Sequence, residues 1–372
     1  MRTVSLLLLT SAALILWPGQ PARAHAPPRY RLTVLPLTVE TNDVLDNIDF
    51  GGGIRDTQIV GLRTIQRGSL SDQWAALWRQ SHPLRVLDRT PVTNDPQSNS
   101  YAITFPTDVN RRGIVVGAAY CRFSGAWSGS SCAAVLWRNG KRKNIPGFPG
   151  NTDSIALGIN DLGVIVGNYT HNNHNPVNDM DDLPPGVGGN HAFLIRNGRV
   201  KNLWPGIALG INNRGWLVGV KDVGFDVSHA KGVLWRKGRV TLLKMQPVAI
   251  NERGEIAGNI PITEDTGRAC VWRRGRVTFL SEQISHAYAL NDRGAVVGER
   301  DDPASSHPAR AALWRRGRAY DLNRCVGLPA NWVLQSATGI NDKGWIIGNG
   351  SIYKTPKDKQ PAAYFSFLLT PR

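Results

Sequence analysis

Residues 250–258 read Ile-Asn-Glu-Arg-Gly-Glu-Ile-Ala-Gly, and this stretch decides the fold because its pattern returns along the chain. The pattern is an aliphatic residue, Asn, two variable residues, Gly, three variable residues and a second Gly. The six copies begin at Val109, Ile159, Ile211, Ile250, Leu290 and Ile340. Successive asparagines lie 39 to 52 residues apart. Such spacing indicates a repeat architecture in which one structural unit recurs.

Each repeat predicts four short β-strands, as residues 247–281 illustrate. The predicted strands A, B, C and D cover 247–251, 255–259, 268–273 and 276–280. Asn251 and Gly254 suit the first and last positions of a type I turn between A and B. Arg274 and Gly275 suit a tight hairpin between C and D. The segments are rich in Val, Ile, Leu and Trp and show no helical period, which favours strands.

Two further positions recur within the predicted strands. The second glycine of each copy, such as Gly258, interrupts strand B and predicts a bulge or a close approach of another backbone. A tryptophan occupies one position of strand C in five repeats, at residues 78, 137, 235, 272 and 314. A recurring apolar strand position predicts packing between sheets.

The two ends of the chain supply the last strand. A weaker first copy has its B, C and D strands at 58–61, 74–79 and 84–87. The final copy stops after its C strand, 361–369, whereas the apolar segment 29–37 has no local partner. An unpaired strand is an aggregation hazard, so these two segments are expected to pair. The sequence predicts an all-β, seven-bladed β-propeller of four-stranded antiparallel blades, whose N-terminal strand completes the last blade. An open β-solenoid is the alternative.

The first 24 residues resemble a secretory signal peptide. Arg2 precedes an apolar core at 4–17, and Ala22-Arg23-Ala24 forms a small-x-small cleavage site. Cleavage near Ala24 would leave a single propeller domain, 25–372, secreted or periplasmic; an uncleaved anchor is the alternative. No other segment reaches the roughly 18 apolar residues of a transmembrane helix. Cleavage removes two arginines and lowers the formal net charge from +16 to +14.

Cysteine placement predicts one disulfide. Cys121 and Cys132 bracket a short loop between two predicted antiparallel strands, so their side chains are expected within bonding distance. An exported protein reaches a compartment in which disulfides persist. Nothing in the sequence pairs Cys270 with Cys325.

Basic residues cluster in the turns that one end of a propeller would present. The residues of this predicted basic face are Arg138, Lys141, Arg142, Arg199, Arg236, Arg239, Arg273, Arg274, Arg276, Arg315, Arg316 and Arg318. The loops at the opposite end hold most of the carboxylates. A basic surface favours anionic partners. Anionic polysaccharide, lipopolysaccharide or another polyanion is therefore expected, and merely solvated hairpin tips are the alternative.

Other sites are weaker. Trp127 lies in a Gly- and Ser-rich loop and could stack on a ligand. Asp179, Asp181 and Asp182 could hold a hard cation such as calcium, but they lack the order of an EF-hand loop, and a polar insertion explains them better. The sequence has no nucleophile elbow, zinc-protease motif or phosphate loop. No cofactor and no catalytic residue is predicted.

Several segments resemble the secreted HAF-repeat family, named for the tripeptide His-Ala-Phe. The tripeptide occurs as His191-Ala192-Phe193, and the segments 145–160 and 321–371 also follow that family's pattern. Two repeats depart from it, with Arg-Ala-Cys at 268–270 and Arg-Ala-Ala at 310–312. The resemblance implies export and a repeat scaffold, and it implies no reaction.

These features together predict an exported, non-catalytic repeat scaffold or binding protein that contacts anionic polymers or the cell envelope through its basic face. The alternative is a carbohydrate-active enzyme with a site on the long-loop face.

Overall fold

The computed structural model describes residues 26–35, 44–49, 53–67, 70–80, 82–87, 103–121, 132–146, 148, 152–171, 190–221, 230–263, 266–303, 305, 307 and 309–372. Side chains are described for these residues apart from 44–49, 65–67, 70–73, 103, 120, 121, 152 and 171. The predicted signal peptide, 1–24, lies outside this range. No helix long and apolar enough to cross a membrane occurs among the described residues.

The described residues are all-β, with one short 3-10 turn at Leu322–Arg324. The first strands are β1 Tyr30–Val34, β2 Val44–Asp49, β3 Ile54–Arg55, β4 Gln58–Arg67, β5 Leu70–Arg79, β6 Arg85–Val86, β7 Ile103–Val109, β8 Val115–Cys121, β9 Ala133–Arg138 and β10 Lys141–Asn144. The middle strands are β11 Thr152–Ile159, β12 Ile165–His171, β13 Asn190–Arg196, β14 Arg199–Ile211, β15 Leu217–Lys221, β16 Lys231–Arg236 and β17 Arg239–Leu243. The last are β18 Gln246–Ile250, β19 Ile256–Pro261, β20 Gly267–Arg273, β21 Arg276–Phe279, β22 Ser285–Leu290, β23 Val296–Asp301, β24 Ala309–Arg315, β25 Arg318–Asp321, β26 Trp332–Ile340, β27 Ile346–Ile352 and β28 Ala363–Pro371.

These strands form antiparallel sets of four in chain order. β18–β21 and β22–β25 are separate four-stranded sheets, and a third such sheet has the order β1-β28-β27-β26. Strands β11–β17 form one sheet because β14 is shared: its first half pairs with β13 and its second half with β15. Strands β2–β10 are joined through a single parallel pair, Gln73 with Ile103.

The predicted turns are present. Gly254 N donates to Asn251 O at 3.0 Å, which closes the turn between β18 and β19. Arg274 and Gly275 have φ of 49° and 90°, so both residues of the β20–β21 hairpin adopt the left-handed backbone of a tight hairpin.

The second glycine of the repeat faces a bulge. In β18 the register shifts between Pro247 and Ala249, opposite Gly258. A Cβ added at Gly258 would collide with the carbonyl oxygen of Gln246. The other five copies have the same bulge in strand A and the same collision at the glycine. The predictions of a bulge and of a close backbone approach are both confirmed.

The two chain ends pair. β1 runs antiparallel to β28, with Leu32 opposite Leu369 and Val34 opposite Phe367. Leu35 follows β1 and is fully buried in a cluster with Ile54, Ile59, Ile347 and Leu368. This cluster joins the first described strands to the last sheet. It brings the head of the chain against both its own tail and the next strands along the sequence.

The asparagine that follows strand A links each repeat to the next. Asn212 accepts from Trp216 N through Oδ1 at 3.0 Å, and its Nδ2 donates to the carbonyl oxygen of Asn251 at 3.0 Å. The same side-chain donation runs from Asn110 to Asn160, Asn160 to Asn212, Asn251 to Asn291, Asn291 to Asn341 and Asn341 to Asp56. Gln58 Nε2 lies 3.4 Å from the carbonyl oxygen of Asn110. These hydrogen bonds therefore link each repeat to the next, and Asn341 of the last repeat donates to Asp56 of the first.

Replacing Asn212 by Asp tests this link separately from turn formation. Asp keeps the oxygen that caps the turn, but it loses the donor and places a carboxylate beside the carbonyl of Asn251. We expect Asn212→Asp to lower the unfolding free energy by about 2 kcal/mol, measured by urea unfolding at pH 7. The control is Asn197→Gly, at an exposed hairpin position with a φ of 53° that glycine adopts readily. Equal stabilities of Asn212→Asp and the wild type would contradict the role of the donor.

Candidate functional site

The predicted basic residues lie where the sequence placed them, in the hairpins between strands C and D. These hairpins join β9 to β10, β13 to β14, β16 to β17, β20 to β21 and β24 to β25. All twelve side chains are described; Arg142 and Arg236 are half-buried and the others are exposed. We call these five hairpins together the hairpin end.

One pocket of the hairpin end lies between the β13–β14 hairpin and β16. Its volume is about 620 Å³, within the usual range for small-ligand sites. Its wall is basic, with Arg196, Arg199 and Lys201, and its apolar side includes Trp235. Lys201 Nζ lies 5.8 Å from the centre of the Trp235 ring. A cation and an aromatic face thus border the same space.

A second pocket repeats this arrangement one hairpin further on. Its volume is about 670 Å³, and it is lined by Trp216, Arg236, Lys237, Arg239 and Thr241. The guanidinium of Arg236 lies 4.9 Å from the ring centre of Trp216. Trp216 in turn packs on the turn of the next repeat, because a Cβ at Gly254 would meet its ring. The ring is therefore held in place by backbone.

The five tryptophans of the recurring strand position all pack against core residues, but they are buried to different extents. Trp137 and Trp314 are buried. Trp78, Trp235 and Trp272 are half-buried, and Trp235 also lines the first pocket. The sequence did not single out Trp216. A signal existed, since tryptophan follows the first glycine of the repeat in just two copies, at Trp216 and Trp345.

Carboxylates lie in the turns between strands A and B. Arg111 reaches three of them: its guanidinium is 3.9 Å from Asp56, 3.5 Å from Asp161 and 3.3 Å from Asp342. These acids come from the first, middle and last parts of the sequence. Arg111 therefore brings together turns that are far apart in the sequence.

Two carboxyl groups of these turns are tuned by their contacts. Burial raises the pKa of Asp161, but hydrogen bonds from Arg111 N and from Asn213 and the charges of Arg55 and Arg111 outweigh it, so the pKa lies below its ordinary value. Burial likewise raises the pKa of Glu255, and its hydrogen bonds from Asn251 and Arg253 and the charge of Arg273 lower it further than burial raises it. Both groups favour the folded state when ionised.

Another cluster of titratable side chains lies on β22 and β23. His286 Nδ1 is 3.4 Å from Glu299 Oε1. Burial raises the pKa of Tyr288, and the charge of Glu299 and a hydrogen bond to it act in the same direction. Tyr288 thus remains a neutral donor to Glu299 at physiological pH, and the sequence did not predict this cluster.

Several predicted site residues cannot be placed. Trp127, Asp179, Asp181 and Asp182 lie outside the described residues, and so does the side chain of Cys121. No cluster of three potential metal ligands occurs in the described part of the chain. Cys270 and Cys325 are buried and free. Their thiols donate to the carbonyl oxygens of Gly258 and Asp321, both at 3.3 Å.

No protein-family model matches the chain, and no curated protein matches it. Among solved structures it is similar to an acylaminoacyl peptidase in complex with Z-Gly-Gly-Phe-chloromethyl ketone, with a TM-score of 0.36, 12% identity and coverage of 82% of this chain and 58% of that one. Dipeptidyl peptidase 4 of Porphyromonas gingivalis gives a TM-score of 0.36, 9% identity and coverage of 83% and 55%. Pyrococcus horikoshii acylaminoacyl peptidase gives a TM-score of 0.34 and 13% identity, with coverage of 82% of this chain and 57% of that one. The chain therefore spans little more than half the length of these peptidases.

The described part of the chain is all-β and includes several four-stranded antiparallel sheets. The prediction of a non-catalytic scaffold is contradicted by the peptidases among its structural neighbours and is withdrawn, whereas export stays a prediction. The withdrawn prediction rested on the lack of catalytic motifs in the repeats, and a repeat scaffold does not by itself decide function, which resides in individual sites. Similarity at this level carries no activity over to this chain.

Asp161 predicts a pH dependence of stability. Its pKa is lowered on folding, so its contribution is present above the unfolded pKa of about 3.9 and is lost as the pH falls through the folded pKa. We expect Asp161→Asn to be less stable than the wild type at pH 7 by about 1 kcal/mol and this difference to shrink at pH 3. Urea midpoints at pH 7, 5 and 3 measure it. Glu282→Gln, at an exposed loop position, is the control, and a pH-independent gap for Asp161→Asn would contradict the assignment.

Proposed function

We propose that the chain forms a closed, seven-bladed β-propeller as a single domain, 25–372, and that its hairpin end binds an acidic polysaccharide. In this arrangement β1 is the outer strand of the last blade. The two tryptophan-containing pockets are neighbouring subsites for the polymer.

Three observations support closure. β1 pairs with β28, the Leu35 cluster joins both chain ends to Ile54 and Ile59, and the asparagine donors return to the first repeat. An open solenoid leaves its first and last repeats apart, so it offers no reason for these contacts. Arg111 adds a fourth, because it contacts acids from distant repeats.

The pockets support the choice of ligand. An acidic polysaccharide presents carboxylate or sulfate groups and the apolar faces of its sugar rings. Arg199, Lys201, Arg236 and Arg239 supply charge-assisted donors for the first feature. Trp216 and Trp235 supply aromatic faces for the second. Two such pockets on successive hairpins suit a chain of repeating sugars better than an isolated ion.

Export, membership of the HAF-repeat family and the Cys121–Cys132 disulfide belong to the same proposal. Cys121 is the last residue of β8 and Cys132 immediately precedes β9, the strand that pairs with β8, so the two cysteines are close along neighbouring strands. An acidic polysaccharide of the cell surface is a partner that an exported chain would meet.

Closure is tested by a cross-link between the chain ends. Arg31 and Thr370 lie opposite each other in the β1–β28 ladder, at a Cα separation of about 5.5 Å that suits a disulfide. We expect Arg31→Cys combined with Thr370→Cys to form an intramolecular disulfide under mild oxidation, seen by peptide mapping, and to raise the melting temperature. Arg31→Cys with Lys359→Cys is the mismatched control. Disulfide-linked dimers in place of the internal bond would contradict closure.

Ligand binding is tested with alginate, a polyuronate. We expect Arg236→Gln with Arg239→Gln to weaken alginate binding about tenfold, because two charge-assisted contacts are lost. Lys354→Gln with Lys357→Gln makes the same charge change at exposed positions in the β27–β28 loop and should leave the affinity unchanged. Neutral dextran should not bind, and salt should weaken alginate binding. Equal affinities of the two double variants would contradict a site at the hairpin end.

A further inference from the structure

The end opposite the hairpins was expected to be acidic, yet two arginines face each other there. Arg300 lies near the end of β23 and Arg310 near the start of β24, and they are directly paired in the ladder. Residues opposite each other on neighbouring strands project from the same face, with Cβ atoms about 4.5–5.5 Å apart. Two like charges at that separation destabilise a sheet unless something lies between or beside them.

Arg300 and Arg310 are half-buried, and one buried donor of each guanidinium has no partner among the described residues. The Nε atoms of Arg300 and Arg310 are both buried and, among the described residues, both lack a hydrogen-bond partner. Buried donors of a charged group are normally satisfied, because an unmade bond leaves the full desolvation cost. Two such donors on one face of one sheet point to a ligand that would satisfy both.

The neighbouring polar groups are engaged elsewhere. Glu299 contacts His286 and Tyr288. Ser285, which is opposite Arg300 in the ladder, donates to Gln283 O at 3.1 Å and accepts from Ala269 N at 3.1 Å. Within the described part of the chain, no carboxylate forms an ion pair with Arg300 or Arg310.

The same ladder position in another repeat shows that the fold does not require arginines here. In β12 and β13 the paired residues are Tyr169 and His191, whose rings stack at 5.2 Å. Arg310 is the residue that stands in place of the histidine of the His-Ala-Phe tripeptide. In β15 and β16 the paired residues at this position are Lys221 and Lys231. The residue pair therefore varies between repeats, as expected of a site and not of a scaffold element.

We propose that Arg300 and Arg310 form an oxyanion site that takes a phosphate or sulfate group. Guanidinium Nε and Nη groups form a planar fork that matches two oxygens of such an anion. A doubly charged anion would satisfy the two buried Nε donors and remove the repulsion between the arginines. The site is separate from the pockets of the hairpin end and does not depend on the ligand proposed there.

Inorganic phosphate is the probe, compared with chloride at the same ionic strength and pH. We expect phosphate to raise the melting temperature of the wild type and Arg310→Met to abolish that gain, with phosphate affinity reduced at least about tenfold. In chloride, Arg310→Met should melt at the same or a higher temperature than the wild type, because the repulsion is gone. Arg310→Lys, which keeps the charge and loses the fork, should retain only part of the gain.

The double variant Arg236→Gln with Arg239→Gln is the control for phosphate binding at the hairpin end. Its melting temperature should rise in phosphate by as much as that of the wild type. The site is refuted if Arg310→Met also keeps the full gain. It is equally refuted if Arg310→Met lowers the melting temperature by the same amount in both salts, since the arginine would then have a purely structural role.

Discussion

A single buried amide both shapes a turn and ties one sheet to the next. In the repeat asparagine, Oδ1 accepts backbone N–H groups of its own turn, and Nδ2 donates to the asparagine carbonyl of the following repeat. The six asparagines are nearly inaccessible to solvent. Both the oxygen and the nitrogen of a buried amide need hydrogen-bond partners. Leaving one of them without a partner costs roughly 1–3 kcal/mol of folding free energy. The position therefore fixes the local backbone and the placement of the neighbouring sheet at once.

The glycines complete this constraint. The bulge in strand A brings its carbonyl towards strand B at the second glycine, where no Cβ could fit. The missing side chain of the glycine leaves room for the bulge next to the turn that contains the asparagine. Neighbouring main-chain donors follow the same plan, since Asp161 N donates to Asn213 and Asn213 N donates to Glu252. The motif Asn-x-x-Gly-x-x-x-Gly thus determines how successive sheets pack as well as the turn itself.

Much of the fold could be predicted from the sequence because turns, strand periods and glycine positions are local signals. Strands β18–β21 fall within one or two residues of their predicted bounds. β4 was expected to end at Gly61 but continues to Arg67, because β2 pairs with its second half. The repeat pattern is weakest there, so the local signal was missing. The donors between repeats were not predicted, since each depends on a residue about 40 or 50 positions away.

The pockets and the arginine pair could not be predicted for a related reason. Trp235 and Trp314 share one position in the repeat, yet Trp235 is half-buried and lines a pocket, whereas Trp314 is buried. Basic residues at exposed hairpin tips add little to the free energy of folding in either direction. Arg300 and Arg310 differ from them, because their Nε atoms are buried and lack hydrogen-bond partners in the described part of the chain. Local conflicts with a pattern that the rest of the chain satisfies are expected at functional sites. In this chain the conflict lies in a repeat whose asparagine, glycines and strands otherwise follow the pattern, so it cannot be attributed to a poorly formed sheet.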